Sequence, residues 1–243
     1  MPHYRKAPII EALIDVQARL NPNTTAVELR RLVEEGDEEF PKPVELKKAS
    51  FEVKFEEAQF TGGGTEEVTG WAFRSSDHKR VVQARTDGFT FSRLAPYEHW
   101  ETLQQEARPL WERYRAIAAP EAVTRVAVKY INRFDIPLPI RDLKDFFRTN
   151  PEVSPDMPQG LAAFFMQLQI PYPDLESMLI LTQTLVPPPQ AGLVSVVLDI
   201  DLFRANNLPT SDEAIWQLLE QLREKKNEIF EACITDAARE LIR

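Results

Sequence analysis

Hydrophobic and polar positions alternate from Ile9 to Leu20, with Ile10, Ala12, Ile14, Val16, Ala18 and Leu20 on one side and Glu11, Leu13, Asp15, Gln17 and Arg19 on the other. Side chains along a strand point to opposite faces in turn, so this period of two predicts a strand with one buried face. Asn21-Pro22 ends it. Thr25 and Glu28 then stand at capping-box spacing, and Val27, Leu29, Leu32 and Val33 predict a short helix over about residues 26–38. Strand patterns follow over Glu45–Phe60, Val68–Ser75, Arg80–Thr86 and Phe89–Arg93. Gly62-Gly63-Gly64 reads as a flexible link, Ser75-Ser76-Asp77-His78 as a polar reversal, and Asp87-Gly88 as the turn of a two-residue hairpin. After Pro96 the period lengthens: Trp100, Leu103, Ala107, Leu110, Trp111, Tyr114 and Ile117 predict a helix buried along one side and kinked at Pro109.

The order then restarts. Val123–Ile136 predicts a long strand, a short helix holds Leu143, Phe146 and Phe147, and Leu161–Ile170, Glu176–Val186 and Leu193–Phe203 predict further strands. The first of these three also fits a helical turn. Thr210 with Glu213 opens a last helix, whose apolar side runs through Ile215, Leu219, Leu222, Ile229, Cys233, Ala237 and Leu241. Glu220, Arg223, Glu224, Lys225, Lys226 and Glu228 form its solvated face.

Each half, 1–119 and 120–243, thus approximates β-α-β(3–4)-α within one compact domain. The expected class is α+β: a curved antiparallel sheet carrying long helices, in the element order of TATA-box-binding-protein-like and helix-grip folds.

The 243 residues carry 29 Lys+Arg against 38 Asp+Glu, a formal charge of −9. That field repels nucleic acid and anionic membranes, which makes direct nucleic-acid binding unexpected. No apolar run has the length of a membrane span and no signal peptide is recognisable at Met1–Lys6, so a cytoplasmic protein is expected. The single cysteine, Cys233, falls on the apolar stripe and reads as a buried, inert thiol.

Arg125, Lys129 and Arg133 share one side of the strand that opens the second half. Two uses compete for this row. If the first strands of the halves are neighbours, Glu11, Asp15 and Arg19 lie beside it and cross-strand ion pairs result. Alternatively the row, with Arg85 as a candidate fourth member, cradles a phosphate or carboxylate, since guanidinium forks match such anions. Asn132 is either a strand-end amide bonded to backbone or a ligand contact. Asp199 and Asp201 project to one side of a strand and are candidate ligands for a divalent cation, or simply face water. His3, His78 and His99 lack zinc-ligand spacing, and Gly-x-Ser-x-Gly, Walker and dinucleotide glycine motifs are absent. Glu52, Lys54 and Glu56 alternate as in triphosphate-tunnel enzymes but without that family's Glu-x-Glu-x-Lys signature. No catalytic set and no cofactor is called for. Trp100, Trp111 and Trp216 read as core anchors, and Asp236 suits a helix cap or an arginine partner on the sheet.

Five segments carry a resemblance: Ala7-Pro8-Ile9-Ile10-Glu11-Ala12, Pro96-Tyr97-Glu98-His99-Trp100, Lys129-Tyr130-Ile131-Asn132-Arg133, Asp199-Ile200-Asp201 and Ile229-Phe230-Glu231-Ala232-Cys233-Ile234-Thr235-Asp236. Together they resemble a sporadically distributed prokaryotic protein family of unknown function, with the Tyr-Ile-Asn-Arg and Ile-Thr-Asp blocks most specific. The resemblance implies one full-length domain and, from its patchy distribution, an accessory or defence-associated setting. The expected function is a non-enzymatic, acidic, antitoxin-like factor that binds another protein, such as the product of a neighbouring gene, with room for a homo-oligomer. The alternative is a binder of a small anionic ligand in a cavity between sheet and last helix. A metal-dependent phosphate-processing enzyme is the third.

Overall fold

A computed structural model describes residues 4–56 and 59–243, and the side chains of all of these except 50–64. His3 and the side chains of Glu52, Lys54 and Glu56 lie outside that description. Among the described residues nine strands form one antiparallel sheet: β1 (Ile9–Arg19), β2 (Lys42–Glu56), β3 (Gln59–Arg74), β4 (Arg80–Arg85), β5 (Gly88–Leu94), β6 (Ala122–Pro137), β7 (Phe165–Tyr172), β8 (Ser177–Val186) and β9 (Leu193–Arg204). The α-helices described with them are α1 (Ala26–Leu29), α2 (Trp100–Ala118), α3 (Asp212–Cys233) and α4 (Asp236–Ile242). The class is α+β, as expected.

The spatial order is β2-β3-β4-β5-β1-β6-β9-β8-β7. The opening strands of the two halves are therefore neighbours, with Asp15 opposite Ala127 and Ile14 opposite Val128. Each also pairs with the last strand of its own half, β1 with β5 and β6 with β9. One consequence is a continuous apolar row across the sheet, Phe73, Val82, Phe91, Ile14, Val128, Leu202 and Leu179, every member at most 1 % exposed. The helices cover this face. In α2, Trp111 and Tyr114 lie against Phe89, with ring centroids 5.8 and 5.7 Å from it. Burying a large side chain contributes about 1.5–3 kcal/mol, so this layer is the main source of stability. Trp100, Trp111 and Trp216 all belong to it.

Several expectations need correction. The glycine triplet is not a link: Gly62, Gly63 and Gly64 lie within β3, opposite Val53, Glu52 and Phe51. The β4–β5 turn is Thr86-Asp87, because Gly88 already pairs with Arg85. Gly88 is needed for another reason: its φ is +154°, and a Cβ there would lie 2.5 Å from the Val16 carbonyl oxygen of β1. The first helix is one turn of α-helix followed by a 3-10 turn at Arg30–Leu32, and it stops well short of residue 38. The short helix of the second half is likewise a 3-10 turn, Leu143–Asp145. Leu161–Phe164 is not strand, and β7 extends instead to Tyr172, carrying Pro171 on an edge where a missing N–H is tolerated. Helix α2 is one helix with Pro109 inside it, so the proline does not divide it in two.

The last helix is two helices. Ser211, not Thr210, caps α3, accepting from the Ala214 amide. The chain then turns extended at Ile234, which bridges to Phe147, and the Thr235 hydroxyl accepts from the Ala238 amide to start α4. Asp236 pairs with Arg239 on its own helix rather than capping or reaching the sheet. Cys233 is buried, and burial raises its thiol to about 11, where it is un-ionised at neutral pH. Among the described residues no helix is long and apolar enough to cross a membrane.

Candidate functional site

The sheet face without helices holds the cations singled out from the sequence. Asp15, on β1, is 9 % exposed and sits between two arginines. Its Oδ1 accepts from Arg85 Nη2 at 2.9 Å and from the Thr90 hydroxyl at 2.7 Å, and its Oδ2 accepts from Arg125 Nη1 at 2.9 Å. Arg125 also donates from Nη2 to Asp201 Oδ1 at 2.6 Å, and its guanidinium carbon lies 4.3 Å from the Phe203 ring centroid. Lys129 pairs with Asp199 Oδ2 at 3.0 Å. Arg133 donates to Asp135, to the Ser195 hydroxyl and to the Pro187 carbonyl.

Pairing within the sheet thus occupies the whole row, across strands for Arg125 and Lys129 and along β6 for Arg133 with Asp135. Arg19 reaches Glu121 instead, outside the row. Glu11 stands opposite Ile131, next to the Ile131–Asp199 pair, and adds to the negative field on Asp199. Desolvation raises the carboxyls of Asp199 and Asp201 above the ordinary range, while Lys129 and Arg125 respectively pull them back down. Both aspartates are engaged by cations, and among the described residues no group of three or more His, Cys, Asp or Glu is arranged to hold a metal ion. A divalent cation at Asp199 and Asp201 would have to displace Arg125 and Lys129.

Asn132 is not part of this face. It is 2 % exposed on the helical side, where its amide nitrogen donates to the Tyr130 and Leu198 carbonyls at 3.3 and 3.1 Å. There it borders a cleft of about 1120 Å³. Four walls form the cleft: residues 4–9 of the N-terminal segment, the 95–101 loop leading into α2, Tyr130 and Asn132 of β6, and the second half of α3 from Arg223 to Glu231. The N-terminal wall is tied in place. Pro8 O accepts from the Arg133 amide at 2.7 Å, Lys6 N donates to Ile242 O at 3.1 Å, and Tyr4 donates its hydroxyl proton to Glu231 at 2.7 Å.

Lys226 is the unusual group in the cleft. It is 6 % exposed, its Nζ lies 3.4 Å from the Tyr130 ring centroid, and it donates to the Asn227 side-chain oxygen at 2.6 Å. Among the described residues no carboxylate lies within ion-pair distance of it. Of the glutamates that line the cleft, Glu231 is committed to Tyr4 and Arg239, Glu228 to Lys225 and Glu98 to Arg93, and Glu101 and Glu224 also border it. Burial, with Arg223 one turn earlier on the helix, lowers the amine from its ordinary 10.5 to about 7. Beyond it, the hydroxyls of Tyr97 and Tyr130 are 3.0 Å apart with rings edge to face. Burial pushes Tyr97 up to about 12 and Tyr130 well above its ordinary value, so both keep their protons at neutral pH.

Placing Lys226 on the solvated face of the last helix is therefore incorrect. The signal was present in the chain: Leu219, Leu222, Lys226, Ile229 and Cys233 repeat at three and four, so this lysine occupies a core position of the stripe. Four of the five segments that carry the family resemblance contribute walls to this cleft, through Pro8 and Ile9, the whole of Pro96–Trp100, Tyr130 with Asn132, and Phe230 with Glu231. The fifth, Asp199-Ile200-Asp201, supplies the ion pairs of the open face. Compared with family models and with curated proteins, the chain matches none.

Proposed function

We propose that the protein binds a small anionic ligand in the cleft between the sheet and α3, with the charged head against Lys226 and Arg223. One observation carries this: a buried amine that has no carboxylate partner among the described residues lines a ligand-sized cavity. Isolated buried charge is costly, and a bound carboxylate or phosphate would supply the missing counter-charge. The apolar walls Ile9, Trp100 and Phe230 suit a carbon body, while the Tyr97–Tyr130 hydroxyl pair and Asn132 offer orienting contacts. The acidic protein-binding role ranks second, because the charged face that would carry it is already paired within the chain.

The neighbouring first strands support a TATA-box-binding-protein-like duplication, with a short helical segment followed by four strands and a long helix in the first half and by three strands and a long helix in the second. On that reading the cleft lies where the N-terminal segment crosses the helical face of the second half.

Isothermal titration with pyruvate, lactate and inorganic phosphate tests the binding reading. At least one should bind, and Lys226→Met should weaken it about tenfold or more, the loss of one charge-assisted contact. Equal affinity in the variant, or no binding by any of the three, would remove the proposal.

A further inference from the structure

The same cleft has the construction of a site that captures carbonyl compounds covalently, and this step rests on the ligand-binding reading above. An amine forms an imine readily when desolvation or a neighbouring cation keeps it un-ionised and when groups that exchange protons with the carbonyl oxygen line the same space. Lys226 fits this description: it is buried against an amide and an aromatic face, Arg223 stands one turn away, and Tyr97 and Tyr130, whose hydroxyls are 3.0 Å apart, line the same cleft. Among the described residues Arg223 makes one side-chain hydrogen bond, to Glu220 at 3.3 Å, which leaves donors of its planar fork for a carboxylate.

We infer that Lys226 forms an imine with a 2-oxo acid whose carboxylate is held by Arg223. In the step, the neutral amine adds its lone pair to the keto carbon. One N–H proton passes to the former carbonyl oxygen, through the Tyr97–Tyr130 hydroxyls, giving a carbinolamine. Loss of that oxygen as water then leaves the C=N bond, so amine plus ketone becomes imine plus water with no oxidant or reductant consumed. A buried amine near neutrality in its proton affinity favours the first addition, since an ammonium has no lone pair to give.

The experiment uses the intact chain with pyruvate and sodium cyanoborohydride, which delivers hydride to an imine and fixes it as a secondary amine. The expected result is a single adduct whose mass gain equals pyruvate less one oxygen atom, mapped by peptide sequencing to Lys226. Exposed lysines such as Lys144 are the internal background. Arg223→Gln should raise the pyruvate concentration for half-labelling by about tenfold. Labelling of Lys226 no greater than that of Lys144 overturns the inference. Calorimetry on the same preparation separates the two failures. Pyruvate and lactate binding alike without an adduct sinks the imine and leaves the anion cleft standing, whereas no binding of either anion, or of phosphate, removes both.

Discussion

The two faces of the central sheet treat positive charge in opposite ways. On the open face Arg85, Arg125, Lys129 and Arg133 each meet an aspartate from a neighbouring position or strand. On the helical face Lys226 is more deeply buried than any of these and meets a ring and an amide. Density of charge is thus a poor guide to function here. Among the described residues the open face pairs its cations internally, although Asp199 Oδ1 is buried there without a hydrogen-bond partner, while on the covered face Lys226 has no carboxylate partner, a lack that a ligand can remedy.

The largest effect should come from breaking the side whose cations are paired. Asp15→Ala removes the acceptor shared by Arg85, Arg125 and Thr90, leaving two part-buried guanidinium groups short of a partner. Such a loss costs about 3–5 kcal/mol, read as a lower urea midpoint with unchanged slope. A change below about 1 kcal/mol would show the network to be ornamental and would undo the contrast.

Lys226→Met should move stability the other way. The native amine sits near 7 against 10.5 in the unfolded chain, lowered by burial and by Arg223, with the Tyr130 ring and un-ionised Tyr97 as its other near neighbours. Below pH 7 both states hold the proton and the native state carries the full cost of a buried cation. Between pH 7 and 10.5 the unfolded state binds more protons, so wild-type stability gains as pH rises. The methionine variant should therefore be more stable by about 2 kcal/mol at pH 6, a value below the full shift because the ring's attraction to the cation is lost too. That advantage should shrink towards pH 10, as thermal melts across the range would reveal. An advantage that grows with pH would contradict the buried-cation account.

This contrast also marks what was legible in the sequence. Period-two alternation identified β1, β6, β8 and β9, because each has one side covered by helices. It also placed the cations of the open face, since strand parity assigns Arg125, Lys129 and Arg133 to one side whatever the neighbours are. Their partners depended on which strands pair: Asp15 follows from β1 lying beside β6, but Asp201 and Asp199 become partners only through β9. The break at Ile234 was hidden because the apolar stripe continues into α4, and only the bridge to Phe147 interrupts it. Lys226 was misplaced because four neighbouring charges, Glu224, Lys225, Arg223 and Glu228, made its segment resemble a solvated face, although its own spacing put it on the stripe. The cleft had no local signal at all, since its walls come from four separated stretches of chain.

A smaller perturbation sharpens the covered side. Tyr97→Phe deletes one hydroxyl and leaves that of Tyr130, which is 1 % exposed, without its 3.0 Å partner. The expected cost is about 1–2 kcal/mol, the ordinary penalty for stranding a buried polar group. The ring itself stays, so packing against Tyr130 is preserved, and pyruvate affinity measured by calorimetry should change less than it does in Lys226→Met. A loss of affinity as large as that of the lysine variant would shift the centre of the site from the amine to the hydroxyl pair.

The smallest effect is expected from Arg133→Gln. Arg133 is the outermost cation of the open row, its partner Asp135 is more than a third exposed, and its other contacts are to the Pro187 carbonyl and to the buried Ser195 hydroxyl, which keeps its own bond to Asp135. Part-exposed pairs contribute about 0.2–1 kcal/mol, so the urea midpoint should barely move. Its backbone amide still holds Pro8, a bond the substitution leaves intact, so the N-terminal wall of the cleft keeps its anchor. Ligand affinity in the cleft should then equal that of the wild type. If the variant instead lost binding, the anion would be seated on the open face, and the pairing of Arg133 with Asp135 would have to be read as a resting state that the ligand displaces.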